Sequence, residues 1–355
     1  MTRRENFLRA LRRDNPQSVP FEFDLCPSQL ETFKNKTNSV DYKTYFEIPF
    51  RLVELEPTVM KRDISPYYRN LPENAKPLSW NPEWGVYTIP GSVAHFEEMQ
   101  HPMEHLKTAD EILAYPFPDF DQPYRWQDME NKVARLHHSD LAAVAFLANT
   151  VFEIAWYLRG MENLLMDIMD NSEFAEVLLN KITDIRIDAA EKFARNGVDI
   201  IMLGDDVSTQ LNMMMAPDLW REVFKPRLAK IIAVIKKANP DTLIYYHGDG
   251  NLQAIIPDLI EIGVEILNPV QPECMDPVFI KKQYGNKLSF WGTIGTQTIF
   301  PFGTPTEVEM KVKEMIEKVG SGGGLVLAPT HVLEPDVPWE NIETFVESVK
   351  KYGTY

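Results

Sequence analysis

The sequence predicts an α/β protein of the (β/α)8 barrel type, one domain over residues 1–355 with an N-terminal helix and an irregular insertion near 55–130. Three observations lead there. From about residue 140, short apolar runs alternate with longer helical periods, the pattern of successive βαβ units. Most of these runs end in a hydrogen-bonding or titratable residue, as barrel strands do where their carboxyl ends converge on one cavity. A length of 355 residues suits one barrel with insertions and needs no second core.

The elements follow in chain order. In MTRRENFLRALRRDNP, Phe7, Leu8 and Leu11 fall at helical spacing among alternating charges, which is a first helix and not the continuous apolar core of a signal peptide. A turn at DNPQS leads into VPFEFD, an opening strand over Val19–Asp24. Residues 55 to 130 are rich in Pro, Trp, Tyr and acidic residues. There WNPEWGVYTIPGS reads as an excursion of the sort used for lids or oligomer contacts. An eighth strand is expected within 84 to 100. The remaining strands are expected at Ala142–Leu147, Ile200–Leu203, Leu243–Tyr246, Glu265–Leu267, Leu288–Trp291 and Leu325–Leu327. Helices are expected near 173–195, 217–238, 251–262, 305–318 and 339–351. Pro226 breaks a helix interior, so the stretch 217–238 divides or kinks at Lys225. GSGGG, residues 320–324, is the helix-to-strand turn before Leu325.

Composition excludes several classes. The formal charge of −16 repels phosphate backbones, so nucleic acid is a poor partner. No apolar run approaches the roughly 18 residues of a spanning helix, so no membrane role is expected. Cys26 and Cys274 are too few for a disulfide framework and form no CxxC clip, which points to a cytoplasmic protein with buried thiols.

The strand exits carry the chemistry. Ile200–Leu203 runs into GDDVSTQ, supplying Asp205, Asp206 and Gln210; Leu243–Tyr246 runs into His247 and Asp249. The later runs end in Asn268 and Gln271, in Thr293 and Gln297, and in His331, while the earlier ones end in Asp24 and in Asn149 and Glu153. Each has a plain structural competitor. Asp205 would cap the segment ahead of Ala216, Asp206 would hold its loop through Ser208 or Thr209, and either histidine would brace the interior or a loop. Convergence of several such residues on one rim favours a site. In HGDG, His247 and Asp249 are i and i+2 and face one side of an extended backbone, and the glycines let the chain turn sharply. With His331 from the last strand they make a candidate two-histidine, one-carboxylate set for Zn²⁺ or another divalent ion. Without metal the same three form an acid/base cluster.

RENFLRALRRDNPQSVPFEFD, VDIIMLGDDVSTQLNMMMAPDLWREVFKPRLAKI, IYYHGDGNLQAIIPDLIEIGVEILNPVQPECMDP, LSFWGTIGTQTIFPFGTP and GGGLVLAPTHVLEPDVPWENI together resemble the uroporphyrinogen decarboxylase superfamily. The resemblance runs from Arg3 to about Tyr352 and is weakest in 30–140. It implies a distorted TIM barrel. The decarboxylases carry an arginine motif, RQAGR, after the first strand to hold substrate carboxylates; here the place reads DLCPSQLETF, without an arginine. His331 in APTHVL falls where they have a substrate-contacting histidine. The corrinoid-linked methyltransferases of the superfamily hold zinc by HxCG and a later cysteine, and here Asp249 and His331 stand at the two cysteine positions. Harder N/O donors suit an oxygen substrate better than a thiol.

The resemblance therefore implies a corrinoid-dependent methyltransferase of the O-demethylase-like type, moving a methyl group from a small, O-methylated substrate. His247, Asp249 and His331 would hold the metal, and Asp205 or Asp206 would supply a proton. Gln210, Asn268, Gln271 and Gln297 would orient the substrate, and Glu153 would contact it or serve as a fourth ligand. The corrinoid would arrive on a partner protein, docking at the acidic surface or the 55–130 segment, and a homodimer is left open. The alternative is a metal-free decarboxylase of a smaller acid. A third reading, a binding or scaffold barrel, fits the dense polar strand ends poorly.

Overall fold

The computed structural model describes residues 1–91, 97–170 and 172–355. Seven parallel strands form one curled sheet in sequential order: β1 Phe50–Val53, β2 Ala142–Phe146, β3 Ile200–Gly204, β4 Leu243–His247, β5 Ile266–Asn268, β6 Ser289–Trp291 and β7 Leu325–Val326. The Val19–Asp24 stretch is the eighth stave, joined to the β7 edge by isolated bridges. Phe21 and Leu25 pair in parallel with Leu327 and Leu333. Leu327 N donates to Pro20 O at 2.9 Å and Leu333 N to Asp24 O at 2.9 Å. Pro20 offers no N–H of its own, which keeps this stave from a continuous ladder. Among the described residues no ladder joins it to β1, so the barrel is open on that side.

The sequence places the missing stave in 84–100, and the structure places it earlier. Tyr87–Pro90 is the central strand of a separate small sheet of the insertion, pairing antiparallel with Lys76–Pro77 on one side and with Glu97–Gln100 on the other. Residues 92–96 of that stretch lie outside the described residues. The stave is β1, paired Phe50 to Ala142 through Val53 to Ala145. Arg51 interrupts its apolar run. It does so without penalty, because its guanidinium donates to Ile48 O and Phe50 O at 3.0 and 2.7 Å.

Register fixes which side chains enter the barrel. Phe146 pairs with Met202, Met202 with Tyr245, Gly204 with His247, and His247 with Asn268, so these share the inner face. At the amino end the interior is closed by helix α1, Arg3–Arg12. Its Phe7 stacks on Phe50 at 5.8 Å and meets Trp291 edge-on at 5.5 Å, while Trp291 contacts Tyr245 at 5.3 Å. Ser289 Oγ donates to Leu11 O at 2.6 Å, holding the helix against β6. With one end plugged, the carboxyl end is left as the open mouth.

Most of the outer helices match the sequence expectation in type and place. α3, Glu173–Arg195, begins at a Ser172 cap. The 217–238 stretch is two helices, α4 Pro217–Val223 and α5 Lys225–Ala238, broken at Phe224 with Pro226 in the first turn of α5, where its missing N–H is not needed. Helices Pro305–Met315 and Trp339–Tyr352 fall where expected, the helix expected near 251–262 spans only Ile256–Glu261, and Pro277–Tyr284, after β5, lies outside the sequence expectation. No helix of the described residues is long and apolar enough to cross a membrane. Because Phe7 is fully buried at the plug, Phe7→Ala is expected to lower unfolding stability by about 3–5 kcal/mol, read from urea midpoints.

Candidate functional site

Backbone contacts bring two strand ends together at the mouth. Gly204 ends β3 with φ +151°, and a Cβ there would sit 2.2 Å from the His247 carbonyl oxygen, so only glycine admits the approach. Thr150 brackets this point from β2: Gly204 N donates to Thr150 Oγ1 and Thr150 N to Gly204 O, both at 2.8 Å. Asp205 N then donates to His247 O at 3.0 Å. On the other strand end, Asp249 N donates to Asp206 Oδ1 at 2.8 Å and Gly250 N to Gln271 Oε1 at 3.3 Å. Gly250 has φ +86°, and a Cβ would lie 2.3 Å from Thr209 O. The glycines of HGDG thus serve a close approach of loops as much as a turn.

Asp206, His247 and Asp249 converge, with one ligand atom from each lying within 4.8 Å of the others. His247 Nε2 is 3.6 Å from Asp206 Oδ1. Its other nitrogen, Nδ1, donates to Asn268 Oδ1 at 2.6 Å, and the amide is fixed because Asn268 Nδ2 donates to Trp291 O at 2.8 Å. The neutral ring therefore carries its proton on Nδ1 and turns the Nε2 lone pair toward the carboxylates, as a metal-ligating histidine does when its other nitrogen is held by a hydrogen bond. Burial lowers the His247 pKa, but Asp206, Asp249 and the Asn268 bond outweigh it and leave the imidazole above its usual range. Asp249 is pushed up by burial against the opposing pull of His247, with Asp206 adding to the rise. One imidazole and two carboxylates make a hard N/O donor set that fits a divalent cation.

The third member of the group differs from the sequence expectation. His331 is not among the three atoms. It stands exposed on the wall of a cavity of about 420 Å³ that also takes in Asp249, Gln271, Gln210 and Gln297. Asp206 takes its place because the β3 loop is seated on the β4 loop, whereas His331 leaves the last strand on a separate loop. Gln210 Nε2 donates to Gln297 Oε1 at 2.9 Å, closing one side of that cavity. Asp24 is taken up by Tyr42 Oη at 2.6 Å and Lys43 Nζ at 3.0 Å.

Asp205 caps a helix, though not the one ahead of Ala216. Its carboxylate accepts from Val151 N at 3.1 Å and Glu153 N at 3.0 Å, at the start of α2, Phe152–Arg159. Buried there beside Glu153, it is pushed up to about 7. Glu153 accepts from Tyr157 Oη at 2.8 Å and from Asp206 N at 3.1 Å, and burial followed by the charge of Asp206 raises its pKa. Sequence reasoning gave no part to Tyr157, although its i+4 spacing from Glu153 in a helix places the two side by side. Asn268, expected to hold substrate, has both ends of its amide engaged within the protein.

Comparison with known proteins agrees with this architecture. Residues 114–352 match the uroporphyrinogen decarboxylase (URO-D) family. The chain belongs to that family. A methylcobamide:CoM methyltransferase MtaA of Methanosarcina barkeri is 28% identical over 196 residues, covering 55% of this chain and 54% of its own. A uroporphyrinogen decarboxylase of Hydrogenobaculum sp. is 25% identical over 186 residues, covering 52% and 51%. The chain thus spans about half the length of these curated relatives. Among solved structures, a methyltransferase from Methanosarcina mazei superposes with a TM-score of 0.67 at 17% identity over 99% of both chains, a likeness of fold. The URO-D barrel of this chain is therefore shared by methyltransferases and decarboxylases alike.

Asp205 gives a pH signature. Its folded pKa of about 7 lies above the ordinary carboxylate value near 3.9, so the folded state holds this proton more tightly. Stability from this group is complete below about pH 4 and is lost as pH rises through about 7. Asp205→Asn keeps an acceptor for the capping bonds and removes the titration. Urea midpoints of the parent are expected to fall relative to the variant between about pH 5 and 7.5; parallel profiles would contradict the assignment.

Proposed function

We propose that this URO-D family chain is a metal-assisted methyltransferase that takes a methyl group from a small O-methylated substrate and passes it to a corrinoid on a partner protein. The observation that carries the reading is the Asp206, His247, Asp249 cluster with its Asn268-oriented imidazole. The cavity beside it supports the same choice. Its wall carries Asp249, Glu334, Asp336 and His331 and neither lysine nor arginine, a poor receptacle for a porphyrinogen bearing many carboxylates. Methyltransferases stand among the relatives beside decarboxylases, so the relatives are compatible with the methyl-transfer branch without choosing it.

His247 Nε2 and the carboxylates of Asp206 and Asp249 would hold the ion, zinc being the first candidate. When bound, a divalent metal supplies Lewis-acid polarisation of an ether or alcohol oxygen. Asn268 keeps the imidazole in the ligating tautomer. Gln271, Gln210 and Gln297 present amides to the substrate, and His331 lines the same cavity. Asp205 is a positioning residue that ties α2 to the β3 loop. Glu153 stands behind Asp206 with its carboxyl biased toward the protonated form, a proton reserve for the departing oxygen.

Two measurements test the reading. Protein purified without chelator is expected to carry about one divalent ion per chain, greatly weakened in His247→Ala, and Asn268→Ala is expected to lower metal affinity about 10–100-fold. With metal bound, the protein should methylate cob(I)alamin from an O-methyl donor, followed by its visible spectrum. Carbon dioxide release from a test acid by metal-free protein would favour the decarboxylase alternative.

A further inference from the structure

A second cavity, of about 380 Å³, opens at the carboxyl ends of β1 and β2 beneath the insertion. Its walls include Trp80, Trp84, Phe120 and Phe146, and two arginines, Arg125 and Arg186. The arginines differ in a way that matters. Arg125 is paired: its Nη1 and Nη2 donate to the two oxygens of Glu83 at 2.8 and 2.5 Å. Arg186, from the middle of α3 and 3% exposed, has no such partner. Its Nε donates to Thr150 O at 3.2 Å and its Nη2 to Asn149 O at 2.8 Å, and it lies 5.2 Å over the Trp84 ring. Among the described residues Nη1 makes no hydrogen bond and Arg186 forms no ion pair. The two carboxylates whose charge acts on Arg186 from a distance are engaged elsewhere: Asp205 caps α2, and Glu153 accepts from Tyr157 and Asp206. Trp84 Nε1, buried in the same wall, also lacks an acceptor among the described residues.

A buried guanidinium stays charged and normally has an anion against it. Arg186 lines a cavity shared with the rings of Trp80, Trp84, Phe120 and Phe146 and with the carboxylates of Glu54 and Glu83, and the volume is that of a small ligand pocket, near the lower end of the usual range of about 300–1,000 Å³. We propose that this cavity binds a small aromatic carboxylate, its ring among Trp80, Phe120 and Phe146 and its carboxylate on Arg186. A planar carboxylate matches the guanidinium fork, and the rings stack on the ligand's apolar body. The inference is independent of the metal-centre reading, because none of these residues belongs to the Asp206, His247, Asp249 cluster.

Calorimetric titration with benzoate and with benzamide, its uncharged counterpart, tests it. Benzoate is expected to bind at millimolar concentration or tighter and benzamide at least about tenfold more weakly. Arg186→Gln, with its fold checked by circular dichroism, should bind the two alike. Should that variant fail to fold, Ser79→Trp fills the cavity from its exposed rim without touching the guanidinium, and it should abolish benzoate binding. His247→Ala should leave benzoate binding intact. Equal affinity for the two compounds, no benzoate binding at millimolar concentration, or unchanged binding in Ser79→Trp would overturn the proposal. So would loss in His247→Ala alone, which would place benzoate at the metal centre.

Discussion

The site rests on one backbone approach, the seating of the Gly204 turn against the carbonyl of His247. Once those strand ends lie that close, the rest is constrained. Asp205 must hydrogen-bond to His247 through its backbone, Asp206 must reach the Asp249 amide, and the imidazole is left between two carboxylates. A side chain at Gly204 would separate the strands and dissolve the cluster. The plug at the other end works in concert, since α1 fills the barrel floor with Phe7 and leaves polar residues to gather only at the mouth.

The arrangement concentrates negative charge. Glu153, Asp205, Asp206 and Asp249 lie close together where β3 and β4 end, and burial, compounded by mutual repulsion, raises three of them above the ordinary carboxylate range. Such crowding destabilises the fold unless something offsets it. The chain offers His247 and, more remotely, Arg186. A bound cation would relieve the rest, which is why the electrostatics and the donor geometry lead to the same reading. The mouth is accordingly two-sided, with carboxylates and amides over β3–β6 and, over β1 and β2, aromatic rings with a guanidinium that forms no ion pair among the described residues.

Much of the fold was legible because strand periodicity and helix signals survive in sequence. Pro226 marked the α4–α5 break, and the apolar runs from Ala142 onward marked six staves. β1 was not legible: its four residues are interrupted by Arg51, whose charge is satisfied by local carbonyls that only coordinates reveal. The site was legible in its location, since the polar strand exits do converge, but not in its membership. Nothing in GDDVSTQ distinguishes the aspartate that caps a distant helix from the one that faces the histidine. That division follows from which loop packs on which, as does the place of His331 on the cavity wall outside the group. Arg186 and Tyr157 sit in helical stretches whose periodicity conceals their polar contacts.

The most direct test is zinc-edge anomalous diffraction from crystals of the protein grown with zinc. The account predicts a single strong peak bonded to His247 Nε2 and to oxygens of Asp206 and Asp249, with Asn268 still accepting from Nδ1. A peak on His331 away from Asp206, or an ordered cluster with no peak at all, would contradict it.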